Sequence, residues 1–338
     1  MIPTKEQIEE IACLEQRTPD WFRARLGCVT GSCAHLVVKP NEAERAYKKA
    51  LLAGPIEIET KSAFNSRLKE IKKTNPEKYQ EEYDKGLLKE SEEQFKSRLK
   101  TLWDKAQQSG FNDSTMSYLY QIASERNLRD VFVNNDIYFE EYQKRVSVSS
   151  HAMRWGAETE EMARLQYSRT TGYEVVEVGF HRHETVDWFG DSPDGLVVDE
   201  EGKPIGAIEI KCPKPDMWIR YRHAFNQAQR KYNEYVKAFM ESHPEIDADA
   251  FTDEMLPIEQ RLCTINSETL KNVRIDYYWQ CQSHCECNKV PWCDFVFYDQ
   301  MQKGEIMIVR INRNDEDIDF LLNRIELVNN YIDNDILA

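Results

Sequence analysis

Residues 190–213 read GDSPDGLVVDEEGKPIGAIEIKCP and contain two short apolar segments separated by a polar turn. Side chains alternate between the two faces of a strand, so Glu209 and Lys211 would share one face, about 6.6 Å apart, while the neighbouring isoleucines face a core. Asp194 precedes the first segment, and a hairpin would bring it beside the end of the second. The stretch therefore predicts that Asp194, Glu209 and Lys211 meet at one end of a β-sheet.

Two carboxylates and a lysine that lie close together could bind a cation and activate a water molecule. Two carboxylates held together repel each other unless a cation lies between them. Mg²⁺ takes a few carboxylate oxygens and keeps bound waters, and a lysine beside it can orient or deprotonate a water. A Pro-Asp-Gly turn or a Glu-x-Lys pair alone is common, but a surface charge pair does not need isoleucines on its other face. The combination predicts metal-assisted hydrolysis of a phosphodiester.

The composition narrows the class of protein. The 338 residues, 41% of them hydrophobic, predict one large domain or two small ones with a substantial core. The sequence contains no run of 18 apolar residues and no signal-peptide pattern, and its nine cysteines then predict reduced thiols in a cytoplasmic protein. The net charge of −15 argues against non-specific coating of nucleic acid but is compatible with a local basic channel.

The order of the predicted elements indicates an α/β fold with a central mixed sheet flanked by helices. After an N-terminal amphipathic helix, Thr18-Pro19 is expected to begin a second helix and Ser32 to cap a third. A helix that follows residue 150 is expected to end at Gly172. Three strands, a helix, two further strands and an acidic C-terminal helix complete the pattern.

Two helical insertions are expected within a single domain that spans residues 1–338. Residues 44–110 are rich in lysine and glutamate, which predicts a helical hairpin broken at 74–76. This insertion is interpreted either as a solvated surface element or as an arm that contacts DNA. Residues 214–275 are polar and helical in pattern, and they are interpreted as the second insertion.

Five separated motifs resemble one nuclease family, and they occur in the order found there. The motifs are WFRARLGCVTGS, WGAETEEMA, SPDGL, IEIKCP and YYWQCQ. They resemble the PD-(D/E)xK nuclease superfamily, in the branch of the lambda exonuclease and the YqaJ-type viral recombinases, the alkaline exonucleases. The resemblance covers roughly residues 15–38, 150–213 and 276–300, and it implies a restriction-endonuclease-like core.

The resemblance also implies roles for the matching residues. Asp194 and Glu209, with the main-chain oxygen of Ile210, would hold Mg²⁺, for which Mn²⁺ would substitute. Lys211 would activate the attacking water, and Arg25 would bind the terminal 5′-phosphate. The other candidates are Glu160 and Gln280 for catalysis, Glu160 and Glu184 for the metal, and Ser32 and Gln282 for DNA binding.

Ordinary structural explanations stay open for some of these positions. Arg25 and Glu160 lie on predicted helices, where such side chains are usually solvated. Gln280 and Gln282 are about 200° apart on a helix, so they cannot point the same way. One of the two is expected to face the site, and the other the edge of the core or the solvent.

The activity implied by the resemblance is Mg²⁺-dependent 5′→3′ digestion of double-stranded DNA, which leaves a 3′ single strand for annealing-type recombination. A single-strand annealing protein is the implied partner, a ring trimer the implied oligomer, and a phage or mobile element in a bacterial host the implied setting. Two alternatives stay open. One is an endonuclease of the same fold, and the other is a non-catalytic DNA-end binding module, against which the intact Asp194, Glu209 and Lys211 argue.

The cysteine-rich stretch CQSHCECNKVPWC, residues 281–293, raises the question of a zinc ion or an iron–sulfur cluster. On a helix Cys281 and Cys285 lie one turn apart, whereas Cys287 is rotated away from both and Cys293 falls in the next strand. No C-x₂-C spacing occurs in the stretch. Free cysteines that pack in the core are therefore the favoured interpretation.

Overall fold

The computed structural model divides the chain into two compact units. The first unit comprises Met1–Val38 and Ser117–Ala338, and the second Lys39–Met116. The described residues are 13–146, 151–243, 256–302 and 306–338. The predicted N-terminal amphipathic helix lies largely outside them. Within these ranges no helix is long and apolar enough to cross a membrane.

The elements are numbered in chain order. The strands are β1 (Val29–Thr30), β2 (Glu174–Val176), β3 (His181–Arg182), β4 (Phe189–Asp191), β5 (Gly195–Val198), β6 (Pro204–Lys211), β7 (Trp292–Tyr298) and β8 (Ile306–Asn312). The helices are α1 (Pro19–Arg25), α2 (Ala34–Val38), α3 (Glu42–Ala53), α4 (Lys61–Thr74), α5 (Tyr79–Lys85), α6 (Glu92–Gln108), α7 (Asp113–Asn127), α8 (Arg129–Asn134), α9 (Asp136–Val146), α10 (His151–Thr171), α11 (Pro215–Ser242), α12 (Leu256–Cys287) and α13 (Asp315–Tyr331).

A five-stranded mixed sheet forms the centre of the first unit, in the order β2-β5-β6-β7-β8. Its pairs are antiparallel except for β6 and β7, which run parallel. The predicted hairpin is β5 and β6, and its turn contains Gly202 at a φ of +79°, a conformation that favours glycine. The predicted α/β fold class, a mixed sheet flanked by helices, is confirmed.

The core of the first unit places the two faces of β6 in different surroundings. Ile208 and Ile210 pack into an apolar cluster with Tyr167 of α10 and Val296 of β7. Because side chains alternate along a strand, Glu209 faces the other side of the sheet, as predicted. Burying large apolar side chains contributes roughly 1.5–3 kcal/mol each, so this cluster fixes the register of the strand that carries the charged pair.

A three-stranded sheet in the order β1-β4-β3 was not predicted. Its strands are only two or three residues long, too short to leave a periodic signal in the sequence. Strand β4 runs parallel to β1 and antiparallel to β3. It ends at Asp191, three residues before Asp194, and so places a further carboxylate near the hairpin.

Helix boundaries test the capping predictions. The Thr18 side chain accepts a hydrogen bond from the main-chain N–H of Trp21 at the start of α1, and Gly172 follows α10 at a φ of +76°, so both predictions are confirmed. Ser32 does not cap a helix, because it lies inside a 3₁₀ turn that begins at Gly31. Helix α12 runs across the predicted boundary at residue 275, with non-helical dihedral angles at Arg274.

The second unit is helical and rich in ion pairs, and its range encloses the predicted insertion 44–110. Helix α4 ends at Thr74, and a 3₁₀ turn follows at Pro76, which places the break where it was predicted. Arg67 of α4 pairs with Glu59, which precedes this helix, and with Glu82 of α5.

Candidate active site

A cavity of about 170 Å³ lies at the start of β5 and the end of β6. It is lined by Gln16, Arg17, Trp21, Arg25, Thr30, Gly31, Ser32, Asp191, Ser192, Asp194, Glu209, Lys211 and Gln280. The predicted site residues among them are Arg25, Ser32, Asp194, Glu209, Lys211 and Gln280. The structure therefore brings together side chains that are up to 255 residues apart in the chain.

Asp194 is held by the backbone of its own hairpin. Its main-chain N–H donates to the carbonyl of Ile208 at 3.1 Å, and its Oδ2 accepts from the main-chain N–H of Ile210 at 2.6 Å. Burial raises the pKa of the Asp194 carboxyl to about 8, and the negative charges of Glu209 and then Glu160 add to the increase. Without a further cation, ionised Asp194 is therefore unfavourable.

Glu209 and Lys211 form an ion pair, in which Lys211 Nζ contacts Glu209 Oε1. Burial opposes the charge on both groups. The attraction of Lys211, together with His284, outweighs burial and lowers the pKa of Glu209, and the attraction of Glu209 and then Asp194 outweighs burial and raises the pKa of Lys211. A lysine with a raised pKa stays protonated, which suits Lys211 to orient a water or a phosphate oxygen by donating hydrogen bonds rather than to remove a proton.

His284 and Asp191 were missed by the sequence analysis as site residues. His284 is fully buried, and its Nε2 lies 2.7 Å from Glu209 Oε2 while its Nδ1 contacts Asp191 Oδ2. Burial alone would lower the pKa of His284, but Asp191 and then Glu209 outweigh it and hold the pKa well above the usual range. A signal was present, because His284 lies four residues after Gln280 and so on the same helix face.

Arg25 enters the cavity from α1 and packs against two aromatic rings. Its guanidinium carbon lies 4.0 Å from the ring centroid of Trp21 and 5.8 Å from that of Phe180. The ion pairs formed within the described residues do not include Arg25. Burial lowers the pKa of its guanidinium, and Asp191 is among the groups that oppose this shift. Trp21 is itself fixed, because its Nε1 donates to Ser192 Oγ at 3.0 Å.

A second, more apolar cavity of about 550 Å³ adjoins the first. Trp21, Arg25, Thr30 and Ser32 line both cavities. The second is otherwise lined mainly by aromatic and aliphatic side chains, with Phe22 at 41% exposure on its rim. The two cavities together provide a charged pocket next to an aromatic one.

Glu160 and Gln280 occupy different positions relative to the cavity. Gln280 lines it. Glu160, on α10, is bound by Arg17, itself a cavity residue, and lies 3.3 Å from Arg164. Its charge contributes to the raised pKa of Asp194, so Glu160 is close enough to affect the site although it does not line the cavity.

Gln282 and Glu184 lie outside the site. Gln282 is fully buried, where it donates to the carbonyl of Asn312 at 3.0 Å and accepts from the main-chain N–H of Asn314 at 2.8 Å. Both ends of its amide are thus used to join α12 to the last residue of β8 and to Asn314 beyond it, which corrects the expectation that Gln282 contacts DNA. Glu184 is exposed in the turn between β3 and β4 and does not line the cavity, so its position does not support metal binding.

The cysteines of 281–293 are free thiols. Cys281, Cys285 and Cys293 are buried. Burial raises the pKa of Cys285 and Cys293 well above the usual range, an environment that disfavours thiolates. The expectation that this stretch carries no metal stays a prediction.

The donor atoms of the cavity suit a divalent ion that keeps most of its waters. Within the described ranges no group of three or more His, Cys, Asp or Glu side chains is arranged to hold a metal ion. Mg²⁺, however, commonly uses one or two carboxylates and completes its shell with waters and substrate oxygens. Asp194 and Glu209 supply that pair, and burial together with the charge of Glu209 raises the pKa of Asp194, an effect that a bound cation would oppose. The residues therefore fit an ion that prefers oxygen ligands.

Comparison of the sequence with models of known protein families gives one match. The family model of the YqaJ-like viral recombinase domain matches residues 20–241. This range contains the cavity residues Arg25, Asp194, Glu209 and Lys211. No curated protein matches the chain.

Solved structures similar to this chain include two of LHK-Exo, an alkaline exonuclease from Laribacter hongkongensis, one of them in complex with dAMP. Both are 21% identical over 95% of this chain and 95% of the other, with TM-scores of 0.46 and 0.47. A phage-related exonuclease from Haemophilus somnus is 17% identical, with 67% of this chain and 84% of the other covered and a TM-score of 0.37.

Proposed function

The chain belongs to the family of the YqaJ-like viral recombinase domain, and on this basis we propose that it is a metal-dependent exonuclease that digests linear double-stranded DNA from the 5′ end. The observation that carries the proposal is the meeting of Asp194, Glu209 and Lys211 in one cavity with Arg25, a cation outside the described ion pairs. The activity leaves a 3′ single strand.

Mg²⁺, with Mn²⁺ as a substitute, is the proposed cofactor. Asp194, Glu209 and the main-chain oxygen of Ile210 would hold it, and Glu160, whose charge acts on Asp194, would assist. When bound, such an ion polarises the phosphodiester and acidifies a coordinated water. Burial is the main cause of the raised pKa of Asp194, and the charge of Glu209 adds to it; a bound divalent ion would favour the ionised carboxyl against both effects.

The remaining cavity residues are assigned by the hydrogen bonds they can donate. Lys211 would orient the attacking water or a phosphate oxygen, because its ammonium group stays charged beside Glu209. Arg25 would hold the terminal phosphate, with Ser32 and Gln280 as further donors. The adjoining aromatic cavity provides space for the nucleotide that carries this phosphate, because aromatic faces accept any base by stacking.

We assign the biological setting on the family alone. A 3′ single strand is the substrate of a single-strand annealing protein, which would be the partner in recombination. A phage or mobile element in the cytoplasm of a bacterial host would be the setting, and a ring trimer around DNA the assembly. A sedimentation measurement with and without duplex DNA would test the trimer.

The proposal is tested by incubating the protein with matched linear and closed circular duplexes, in Mg²⁺ or in EDTA. We expect digestion of the linear form only, and only with Mg²⁺. Labels at the 5′ or 3′ end distinguish the polarity, and the 5′ label should be released first. Cutting of circles would instead identify an endonuclease, and binding without cutting would identify an end-binding module.

Arg25→Ala is expected to remove discrimination between 5′-phosphorylated and 5′-hydroxyl ends. A terminal phosphate carries about two negative charges, against one for an internal phosphodiester. Wild type should therefore prefer phosphorylated ends, and Arg25→Lys should restore only part of this preference, because lysine cannot form the bidentate contact. The measurement is single-turnover digestion of matched duplexes.

Arg23→Ala is the matched control, since Arg23 lies on the same helix but pairs with Asp20 and Asp136. It should keep the wild-type ratio of the two rates. An unchanged ratio in Arg25→Ala would show that the terminal phosphate is bound elsewhere or not at all.

A further inference from the structure

His284 lies between two carboxylates that line the cavity, those of Asp191 and Glu209, and does not itself line the cavity. It lies on α12 with both ring nitrogens used, Nε2 at 2.7 Å from Glu209 Oε2 and Nδ1 against Asp191 Oδ2. All three side chains are at most 2% exposed. The ring therefore acts as a rigid spacer of fixed width between strand β4, which carries Asp191, and strand β6, which carries Glu209.

Glu209 is held on both oxygens by different partners. Oε2 faces the ring of His284 and Oε1 contacts Lys211. The terminal torsion of a glutamate is broad when nothing restrains it. Two partners on opposite oxygens fix the plane of the carboxylate, and Lys211, at 27% exposure, is the more exposed of the two.

Asp191 is confined as tightly as the histidine it contacts. A Cβ atom added at Gly31 would lie 2.0 Å from Asp191 Oδ1 and 3.1 Å from the Cβ of Ser283, so the absence of a side chain at Gly31 leaves the room that Asp191 occupies. With one oxygen packed against Gly31 and the other on the imidazole, Asp191 restrains the rotation of the His284 ring.

We infer that His284 is a positioning residue that sets the orientation of the Glu209 carboxylate for binding of the divalent ion, with Asp191 acting through it. This inference rests on the proposed function. Groups that orient a metal-binding side chain typically change metal affinity by 10–100-fold when they are lost. The metal-binding side chain here is a carboxylate, and the orienting donor is the buried ring.

Two variants separate the two nitrogens of the ring. His284→Gln keeps an amide donor near the position of Nε2, toward Glu209, whereas His284→Asn keeps one near the position of Nδ1, toward Asp191. We expect His284→Gln to weaken Mn²⁺ binding by less than about 5-fold and His284→Asn to weaken it by about 10–100-fold, measured by calorimetry without DNA. Equal affinities for the two variants and wild type would overturn the inference.

His183 offers a matched control for lost stability. It is also buried and binds a carboxylate, with Nε2 at 2.8 Å from Glu286 Oε1, but it does not line the cavity. Tm measures how much His183→Gln and His284→Asn each destabilise the fold. His183→Gln should lower Tm but leave Mn²⁺ affinity unchanged. If His183→Gln weakened Mn²⁺ binding as much as His284→Asn does, lost stability alone would explain both results, and the inference would be overturned.

A measurement on the unaltered protein covers the case in which His284→Asn does not fold. With ¹⁵N-labelled histidine, the Nε2 resonance of His284 should move on addition of Mg²⁺, while that of His183 should not. A stationary His284 resonance at saturating Mg²⁺ would overturn the inference. Digestion of linear DNA by wild type is assayed in parallel, so a failure of the proposed nuclease function is recognised separately.

Discussion

Lys211→Ala is expected to abolish DNA hydrolysis while DNA binding is retained. Positioned proton-transfer and donor groups contribute roughly 10²–10⁴ to a rate, and Lys211 is a cavity residue whose ammonium group contacts Glu209. Its raised pKa keeps Lys211 charged, so it can donate hydrogen bonds to a water or a phosphate oxygen during the catalytic step. The measurement pairs single-turnover digestion with binding of an end-labelled duplex in Ca²⁺.

Lys203→Ala provides the control for this prediction. Lys203 is exposed in the turn of the same hairpin, and its contact to Asp199 is made by its main chain. It should digest DNA at the wild-type rate. Retention of more than about a tenth of that rate by Lys211→Ala would contradict the role of Lys211, because the expected loss is at least about 10²-fold.

The convergence of Asp194, Glu209 and Lys211 could be predicted from the sequence because it depends on local geometry. Two strands joined by a short turn have a register set by that turn, and side-chain alternation then decides which residues share a face. The hydrogen bond that Asp194 donates to the carbonyl of Ile208 and the one that it accepts from the N–H of Ile210 follow directly from this register. No distant part of the chain was needed for the inference.

The contacts of His284 could not be predicted in the same way. They join α12 to β4 and β6, which are 93 and 75 residues away in the chain. No local pattern specifies which helix packs on the charged face of β6. The same limit explains Gln282, whose helical position was compatible with the site until its amide was seen to bind the backbone at Asn312 and Asn314.

Asp194→Ala and Glu209→Ala are each expected to lose both hydrolysis and Mg²⁺ binding. Both residues are proposed to bind one ion, and removal of one of two carboxylates takes away a large share of the charge that holds it. Calorimetry with Mg²⁺ in the absence of DNA measures the affinity directly. A variant that binds Mg²⁺ as tightly as wild type would show that its residue is not a ligand.

Thermal unfolding in EDTA distinguishes a loss of metal binding from misfolding. The direction of the expected change in Tm follows from the raised pKa of Asp194. A carboxyl whose pKa is higher in the folded protein stabilises it below the ordinary pKa of aspartate, and this contribution is lost as the pH rises toward about 8. Above neutral pH the metal-free wild type therefore carries the cost of a buried charge that Asp194→Asn lacks. Asp194→Asn should consequently unfold at a Tm no lower than that of wild type in EDTA, and wild type alone should gain stability from Mg²⁺. If Asp194 binds a cation in this way, its carboxylate lowers the stability of the metal-free protein. If Asp194 instead had a purely structural role as a charged group, Asp194→Asn would lower Tm both in EDTA and in Mg²⁺.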